Sequence, residues 1–359
     1  MTPTSTPTYH SRISSAWAGR VSGCMLGKPV EMLSMRHGAT VLSRYLESAG
    51  ALPLRDYIPF RPSLNQSVEH PDACREEISK AIPDDDINYT VLALILLEEN
   101  GLGLETEHVA RAWLRLLPAG AVFTAERAAY TTLLNRAPMH FAMGAEPGFD
   151  LAECADNEFN AWIGAQIRAD LYGWVCPGRP HVAARLARTD AALSHRGDGI
   201  LGAVFVAALA AAIPATASLD DAIEVALIEL PGESGAAEAV ALGRREAGNP
   251  DGGAVIRARY ADLSPVHTLN NLALVVWALL GYDEFGAATG EVVAAGLDTD
   301  CNGATVGGLW GLRGEPVPAA WTDPWQERVA VTLAGHCELA LDDLVDRTVA
   351  VAEKIENES

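Results

Sequence analysis

The chain has 359 residues, 49% of them hydrophobic, and a formal net charge of −21. This length suits one large domain or two ordinary ones, with enough apolar residues for a large core. A protein with this negative charge repels nucleic-acid backbones and anionic membranes, and neither is therefore an expected partner.

The N-terminus and the cysteines bear on the compartment. The first 15 residues are rich in Thr, Ser and Pro and have no basic segment followed by an apolar one, so no signal peptide is expected, and we predict that residues 1–11 are flexible. The six cysteines are far apart, and none lies in a C-x-x-C pair. Neither a zinc cluster nor a disulfide framework is therefore expected, which favours a reducing, cytoplasmic location.

The dominant pattern along the chain is helical, with Asp, Ser or Thr at helix starts and Gly or Pro at several ends. Alternating strand patterns are nearly absent, so the sequence predicts one all-α domain spanning residues 1–359. The predicted helices cover roughly 12–27, 87–100, 105–117, 121–136, 157–173, 181–193, 199–213, 219–230, 235–247, 267–281, 284–295, 302–313, 324–335 and 341–356.

Residues 50–83 and 199–219 differ in composition from the rest of the chain. Residues 50–83 contain five prolines among polar residues, which predicts an ordered but irregular excursion near the first acidic cluster. Residues 199–219 are uncharged and long enough to raise the question of a membrane span. Their Ala-rich composition, Pro214 and the lack of an aromatic belt favour a buried core helix instead.

The first motif runs from Gly19 to Glu31. Its glycines at positions 19, 23 and 27 form a small-residue stripe, which lets another helix approach closely. Pro29 should then end the helix and present Glu31 in a loop. By itself Glu31 is as easily a surface carboxylate as a site residue.

Two acidic clusters, Asp84-Asp85-Asp86 and Asp298-Thr299-Asp300, each stand at the head of an apolar, helix-like stretch. Packed carboxylates repel one another and are costly to desolvate, so the two clusters need a cation if they meet. Oxygen ligands favour Mg²⁺, Mn²⁺ or Ca²⁺. The alternative is that each cluster is a solvated helix start stabilised by the helix dipole. Gly303, Gly307 and Gly311 follow the second cluster and indicate another close-packing helix face.

In this order, the three motifs resemble the ADP-ribosylglycohydrolase family, which includes the dinitrogenase reductase-activating glycohydrolase and the animal ADP-ribosylhydrolases. The resemblance spans about residues 15–315. It implies an all-α fold, a binuclear Mg²⁺ centre with Mn²⁺ as a second choice, and hydrolysis of the bond at C1″ of an ADP-ribosyl group. The implied substrate is an ADP-ribosylated protein or a small ribosyl conjugate.

The resemblance also implies roles for individual residues. The implied catalytic carboxylates are Glu31 and Asp85. The implied metal ligands are Asp84, Asp85, Asp86, Asp298, Asp300 and Cys301, and the implied substrate-binding residues are Gly164, Arg168, His195, Asn271 and Asn302. A lone histidine such as His195 is otherwise more often structural.

The chain departs from the family pattern at several positions. Asp84 and Cys301 stand where the family has threonine, and Cys24 replaces an aspartate. A thiol suits Mg²⁺ poorly, so Asn302 is an alternative source of the missing oxygen. The asparagine of the substrate loop is also absent, with Ile163 near its place.

The leading hypothesis is metal-assisted hydrolysis of a ribosyl bond, with Asp85 or Glu31 as general base. One alternative is the same chemistry on a different N- or O-riboside, with the aromatic side chains of Phe159, Trp162 and Tyr172 stacking on the other group. Another is a protein that binds ADP-ribose without cleaving it. A metal phosphohydrolase is disfavoured because the sequence has no phosphate-binding Gly loop.

Overall fold

The computed structural model describes residues 7–64 and 68–358. Over these residues helices are the dominant structure, with two short strands, and the all-α prediction is confirmed. Residues 1–6 of the segment that we expect to be flexible lie outside the described part. The first helix begins at Tyr9, three residues before its predicted start, and the Thr8 hydroxyl caps it by accepting a hydrogen bond from Ser11 N at 3.2 Å.

The α-helices of the first half differ widely in length. They are α1 (Tyr9–Gly27), α2 (Glu31–His37), α3 (Ala39–Ser48), α4 (Asp85–Asn100), α5 (Thr106–Leu116), α6 (Thr124–Arg136), α7 (Asp170–Trp174), α8 (Pro180–Ala191) and α9 (Gly197–Ala212). Those of the second half are α10 (Leu219–Leu227), α11 (Gly235–Glu246), α12 (Gly252–Arg259), α13 (Thr268–Gly281), α14 (Phe285–Ala295), α15 (Thr299–Gly311), α16 (Ala319–Thr322) and α17 (Leu341–Asn357).

Short 3-10 helices and one small hairpin fill the connections. Strands β1 (Arg328–Ala330) and β2 (Glu338–Ala340) pair antiparallel, with Val329 opposite Leu339. The 3-10 helices are Lys28–Val30, Pro62–Leu64, Pro71–Ala73, Gly101–Gly103, Ala119–Ala121, Phe141–Met143, Leu151–Ala155, Ile163–Arg168, Ile213–Ala215 and Asp323–Trp325.

Helices α1 and α15 cross, and glycines of one helix contact glycines of the other. A Cβ added to Gly23 would overlap the carbonyl of Gly303, and a Cβ added to Gly303 would overlap the carbonyl of Gly23. Gly19 and Gly307 make a second pair of the same kind. The two stripes that the sequence predicts as close-packing faces therefore pack on each other, which brings the first and third motifs together.

Helix α9 lies in the core. With the 3-10 turn after it, it forms the stretch Gly197–Ala215, which is long and apolar enough to cross a membrane, but 72% of its most apolar window is buried inside the fold. Helices α7, α8 and α10 pack against it. This burial favours the predicted core helix over a membrane span.

The structure corrects several helix predictions. The segment 157–173 is not one helix but a turn, the 3-10 helix Ile163–Arg168 and the start of α7. Ile163 N donates to Val266 O at 2.9 Å and ties the segment to a distant loop. The segment 324–335 forms a 3-10 turn and β1 rather than a helix. Helices α2, α3, α12 and α16 were not predicted. Glu31 opens α2 instead of lying in a loop, since the turn Lys28–Val30 leads directly into that helix.

The Pro-rich segment 50–83 has no α-helix in its described part, which excludes residues 65–67. It is nevertheless packed: Tyr57 and Ile58 are fully buried, and the hydroxyl of Tyr57 donates to Trp321 O at 2.6 Å. Ala81 forms a parallel bridge with Val329 just before the first acidic cluster. This contact holds the chain in place where it enters α4.

Candidate active site

Both acidic clusters stand at a helix start, and the fold brings the two starts together. Asp84 caps α4 by accepting a hydrogen bond from Asp86 N at 2.9 Å, while Asp298 is the N-cap residue of α15. The chain reaches Asp298 through two successive left-handed residues, Gly296 (φ 84°) and Leu297 (φ 64°). That conformation is unfavourable for leucine and is typical of functional sites.

Carboxylates and thiols from α1, α2, α4 and α15 meet at this end of the fold in groups that could hold a metal ion. Within each group the ligand atoms lie within 4.8 Å of one another. The groups are Glu31, Asp298 and Asp300; Asp86, Asp300 and Cys301; and Cys24, Asp84 and Asp86. The two clusters thus meet in space, which is what a shared metal site requires.

Several buried oxygens in this cluster lack a hydrogen-bond partner among the described residues. They are Asp86 Oδ2, Asp298 Oδ1, Asp300 Oδ1 and Asn302 Oδ1, and none of these residues is more than 4% exposed. Unpaired buried carboxylate oxygens are costly, so they call for a cation or a ligand. Oxygen donors of this kind suit a hard divalent ion. The residues present therefore fit the metal that the resemblance implies.

The raised pKa values of the buried acids also indicate that the site needs a cation. Burial raises the pKa of Asp86 well above its ordinary value, and the charge of Asp84 raises it further. Burial and the charge of Asp300 do the same to the pKa of Asp298. These groups keep their negative charges only beside a compensating cation.

One cation of the protein itself lies inside the cluster. The Lys28 Nζ is 2.7 Å from Glu31 Oε2, 2.6 Å from Asp84 Oδ2 and 2.9 Å from Asp300 Oδ2. Burial opposes the charge of Lys28, but Asp300 and the other carboxylates raise its pKa well above the ordinary value. Burial likewise opposes the charge of Asp84, yet Lys28 lowers the pKa of that carboxyl.

The two predicted catalytic carboxylates differ in their surroundings. Asp85 is half-buried and has no ion pair among the described residues. Burial and the charge of Asp84 raise its pKa well above the ordinary value. Glu31 is held by Lys28, and its side chain is 18% exposed. Of the two carboxylates, Asp85 is therefore the one that no basic side chain of the described residues engages.

A second buried cation orients one acid of the first cluster. Arg20 is fully buried and donates to Asp86 Oδ1 at 3.2 Å and to Asp170 Oδ2 at 2.9 Å. Its Nη2 also donates to the main-chain oxygen of Asp86 at 2.9 Å. Because these contacts fix Oδ1, the other oxygen of Asp86 is left for the site.

Two asparagines line the second cluster, and only one has a free group. The Oδ1 of Asn271 accepts from Asn302 Nδ2 at 2.7 Å and from Asp298 N at 3.3 Å. Its Nδ2 donates to Pro265 O and His267 O, both at 2.8 Å. These bonds leave Asn271 to position Asn302, whose own Oδ1 has no hydrogen-bond partner in the part of the chain that the structure describes.

The predicted substrate residue Arg168 is enclosed by protein partners. It is 2% exposed, and its Nε and Nη1 donate to Asp190 and Glu126, each at 2.7 Å. Its Nη1 also donates to Gly164 O at 2.8 Å, and a Cβ on that glycine would overlap the Glu126 carboxylate. These contacts favour a role in holding the segment 163–168 over the direct substrate contact that the resemblance implies.

His195 is also fully buried beside this network. Its Nδ1 lies 2.8 Å from Ser194 Oγ, and its Nε2 is 3.7 Å from Glu126 Oε1. Burial lowers the pKa of His195 well below its ordinary value, and the charge of Arg168 lowers it further. The imidazole is therefore neutral, and its Nε2 has no hydrogen-bond partner among the described residues.

The ADP-ribosylglycohydrolase family model matches residues 5–357 of this chain. The chain belongs to that family. Membership indicates glycosidase chemistry of the ADP-ribosylglycohydrolase type. No curated protein sequence matches this family member. A solved structure described as an ADP-ribosylglycohydrolase-related protein complex has a similar fold, with a TM-score of 0.60 and 17% identity over 97% of this chain and 98% of the other.

Of the three aromatic residues that could stack on a ligand, two are accessible in this ADP-ribosylglycohydrolase family member. Phe159 and Trp162 are partly exposed and lie edge to face with ring centroids 4.7 Å apart. Tyr172 is fully buried, and its hydroxyl donates to Asp190 Oδ2 at 2.5 Å. Both stacking on a ligand and packing in the core were open for Tyr172, and the structure shows a core residue.

The two thiols of the centre are both buried. Cys24 groups with Asp84 and Asp86, and Cys301 groups with Asp86 and Asp300. Burial and the nearby carboxylates raise the pKa of both thiols well above the ordinary value. A protonated thiol is a poor ligand for a hard ion.

Sequence reasoning did not assign roles to Lys28 or Arg20, although both lie within the first motif. A signal for Arg20 exists, because it is the single charged residue between positions 13 and 27, and a lone charge in an apolar helix needs a buried partner. Lys28 has a weaker signal, three residues before Glu31.

Proposed function

We propose that this protein is a metal-dependent hydrolase that cleaves the C1″ bond of an ADP-ribosyl, or closely related ribosyl, conjugate. One observation carries the proposal: carboxylates from two distant helix starts leave buried, unpartnered oxygens in a single site of a chain of this family. Mg²⁺ is the first choice of ion and Mn²⁺ the second.

The residues that would hold the ion are Asp86, Asp298 and Asp300. When bound, it supplies Lewis-acid charge that orients ribose hydroxyls and water. Asp85 is the proposed general base, because it is half-buried, has no ion pair among the described residues and has a raised pKa.

In the reaction the bond between C1″ and the leaving atom breaks, and a water oxygen bonds to C1″. The water proton passes to Asp85, and the leaving group takes its proton from solvent. The positive charge that develops on the ribosyl ring is stabilised by the surrounding carboxylates. Glu31, held at one oxygen by Lys28, is proposed to orient the ribosyl group.

The test is ADP-ribose release from arginine- and serine-linked ADP-ribosyl peptides, with Mg²⁺, with Mn²⁺ and with chelator. We expect metal-dependent release that falls about a hundredfold or more in Asp85→Asn while Mn²⁺ binding is kept. Asp300→Ala should lose both. The matched control is Asp346→Asn, since the side chain of Asp346 is 74% exposed. Release that chelator leaves unchanged, or an Asp85→Asn protein of full activity, contradicts the proposal.

A different riboside is the second candidate substrate. The partly exposed pair of Phe159 and Trp162 lies next to the segment 163–168, and such rings stack readily on a nucleobase or another aromatic group. A panel of N- and O-ribosides separates the two: cleavage of a riboside without ADP-ribose release would make it the substrate. Tight binding of ADP-ribose with no turnover of any conjugate would indicate a protein that only binds.

We also propose a reducing, cytoplasmic setting. All six cysteines are free, and five of them are buried, which is the pattern of proteins kept reduced. Cell fractionation of the tagged full chain tests this, and recovery outside the cytoplasm contradicts it.

A further inference from the structure

The ammonium of Lys28 lies where a bound cation would lie. Three carboxylates, Glu31, Asp84 and Asp300, place one oxygen each within 2.9 Å of its Nζ. The lysine side chain is only 11% exposed. Contacts this short are typical of charge-assisted pairs, so the protein itself fills this position with a positive charge.

Several other carboxylate oxygens of the cluster are not engaged by Lys28. Asp300 Oδ2 binds the ammonium, while Asp300 Oδ1 is buried without a hydrogen-bond partner among the described residues. Asp86 Oδ2 and Asp298 Oδ1 are unpartnered in the same way. Asp300 belongs to two separate groups whose ligand atoms lie within 4.8 Å of one another, one with Asp86 and Cys301 and one with Glu31 and Asp298. Asp300 is thus placed to be shared between the ammonium and a metal ion.

The oxygens that Lys28 leaves unpaired can serve a metal ion. Asp86 Oδ1 is engaged by Arg20, and Asp84 Oδ1 accepts from Asp86 N. Asp84 Oδ2 pairs with Lys28. The other buried oxygens of the cluster without a hydrogen-bond partner among the described residues are Asp86 Oδ2, Asp298 Oδ1, Asp300 Oδ1 and Asn302 Oδ1, and the half-buried Asp85 carboxylate is a further donor. Mg²⁺ and Mn²⁺ take about six oxygen ligands, partly from water, so these oxygens and water can complete the shell of one ion while Lys28 keeps the three oxygens that it contacts.

The thiol of Cys24 also disfavours a metal ion at the position of the ammonium. Cys24 groups with Asp84 and Asp86 there, and a thiol is a poor donor to a hard ion. A divalent ion at that position would also stand against the positive charge of Lys28.

We propose that Lys28 permanently occupies one cation position of the centre, so that this chain binds a single divalent ion per molecule, held by Asp86, Asp298 and Asp300. The inference rests on the metal-binding half of the proposed function and not on hydrolysis. In the two-ion centre that the resemblance implies, Lys28 takes the place of one ion.

The experiment counts Mn²⁺ ions bound to the full chain by equilibrium dialysis, without substrate, and records the electron paramagnetic resonance spectrum of the bound metal. The wild type should bind one ion and give the signal of an isolated Mn²⁺. Lys28→Met, which removes the charge and keeps the side-chain length, should bind two ions with a spin-coupled signal. Lys28→Arg keeps the charge and should bind one. Lys80→Met, at a lysine whose side chain is 43% exposed, is the matched control and should also bind one.

Two ions or none in the wild type would overturn the inference, and so would a single ion in a folded Lys28→Met protein. Circular dichroism checks the fold. If Lys28→Met does not fold, Lys28→Gln repeats the comparison, and the counts for wild type and Lys28→Arg still decide. A wild type that binds one ion but releases no ADP-ribose would remove the proposed hydrolase and leave this inference standing.

Discussion

Gly23 and Gly303 face each other across α1 and α15 so closely that a Cβ on either would overlap the main-chain carbonyl of the other. This contact fixes the distance between two helices whose ends carry Lys28 and Asp300, the residues that form an ion pair of 2.9 Å in the site. The positions of the charged groups thus depend on a contact with no side chain on either helix.

The first prediction concerns that contact. Gly303→Ala should lower the free energy of unfolding by about 3 kcal/mol, because the added methyl must push the helices apart. The shift should also weaken Mn²⁺ binding. Urea denaturation and Mn²⁺ titration measure the two effects. Gly120→Ala is the control, since a Cβ there meets nothing within 4 Å. Equal stability of the two variants would show that the crossing is not tightly packed.

The second prediction concerns Arg20, which joins Asp86 to Asp170. Arg20→Met should cost about 3–5 kcal/mol of stability, because it leaves two buried carboxylates without their cation. Adding Asp170→Asn should recover part of the stability but not the Mn²⁺ affinity, since Asp86 still lacks its orienting partner. A double-mutant cycle in urea, with Mn²⁺ titration of each protein, tests this. Full recovery of metal binding in the double variant would deny Arg20 any role in orienting Asp86.

The glycine stripes and the acidic helix starts could be predicted from the sequence because their signals are local. A small residue every fourth position marks a close helix face, and Pro83 before three acids marks a helix start. That the two stripes pack on each other was not predicted and is shown by the structure. The all-α fold is predictable for a related reason, since several helices, among them α1, α4, α10 and α11, begin with a side chain that caps the first turn.

The roles of Lys28 and of the segment 157–173 could not be predicted in this way. The Lys28 ammonium reaches Asp84 and Asp300, which are distant in sequence, and no local pattern encodes such a meeting. In 157–173 tertiary hydrogen bonds override the helical pattern: Thr268 N donates to Ala161 O at 3.1 Å, and Asn157 Nδ2 donates to Ser194 O at 3.1 Å. Those bonds exist only after the rest of the chain has folded.

The third prediction is a pH dependence of stability that arises at His195. Burial and the charges of Arg168 and Arg196 lower its pKa well below the ordinary value, and Glu126 lies 3.7 Å away. In the folded protein His195 therefore does not bind the proton that it binds in the unfolded chain below about pH 6.5. Stability from this group is present above that pH and is lost as the pH falls, by up to about 1.4 kcal/mol per pH unit.

His195→Gln should remove this component. Urea unfolding at pH 7.5, 6.5 and 5.5 should show the wild type losing stability relative to the variant as the pH falls. His37→Gln, at an exposed position, controls for the loss of an imidazole. Parallel pH profiles of wild type and His195→Gln would mean that the histidine takes up its proton in the folded state.

The fourth prediction concerns the thiol of Cys301, which lies with Asp86 and Asp300 in one of the three ligand groups. A hydroxyl oxygen is a better donor than a thiol to a hard ion, whereas a soft ion prefers sulfur. Cys301→Thr should therefore tighten Mg²⁺ and Mn²⁺ binding, by about tenfold or 1.4 kcal/mol, and weaken Cd²⁺ binding. Calorimetric titration with each ion measures the change, and Cys337→Ser, at an exposed cysteine, is the control. A shift of the same sign for Mn²⁺ and Cd²⁺ would indicate altered packing, and no shift for either would place Cys301 outside the ligand set.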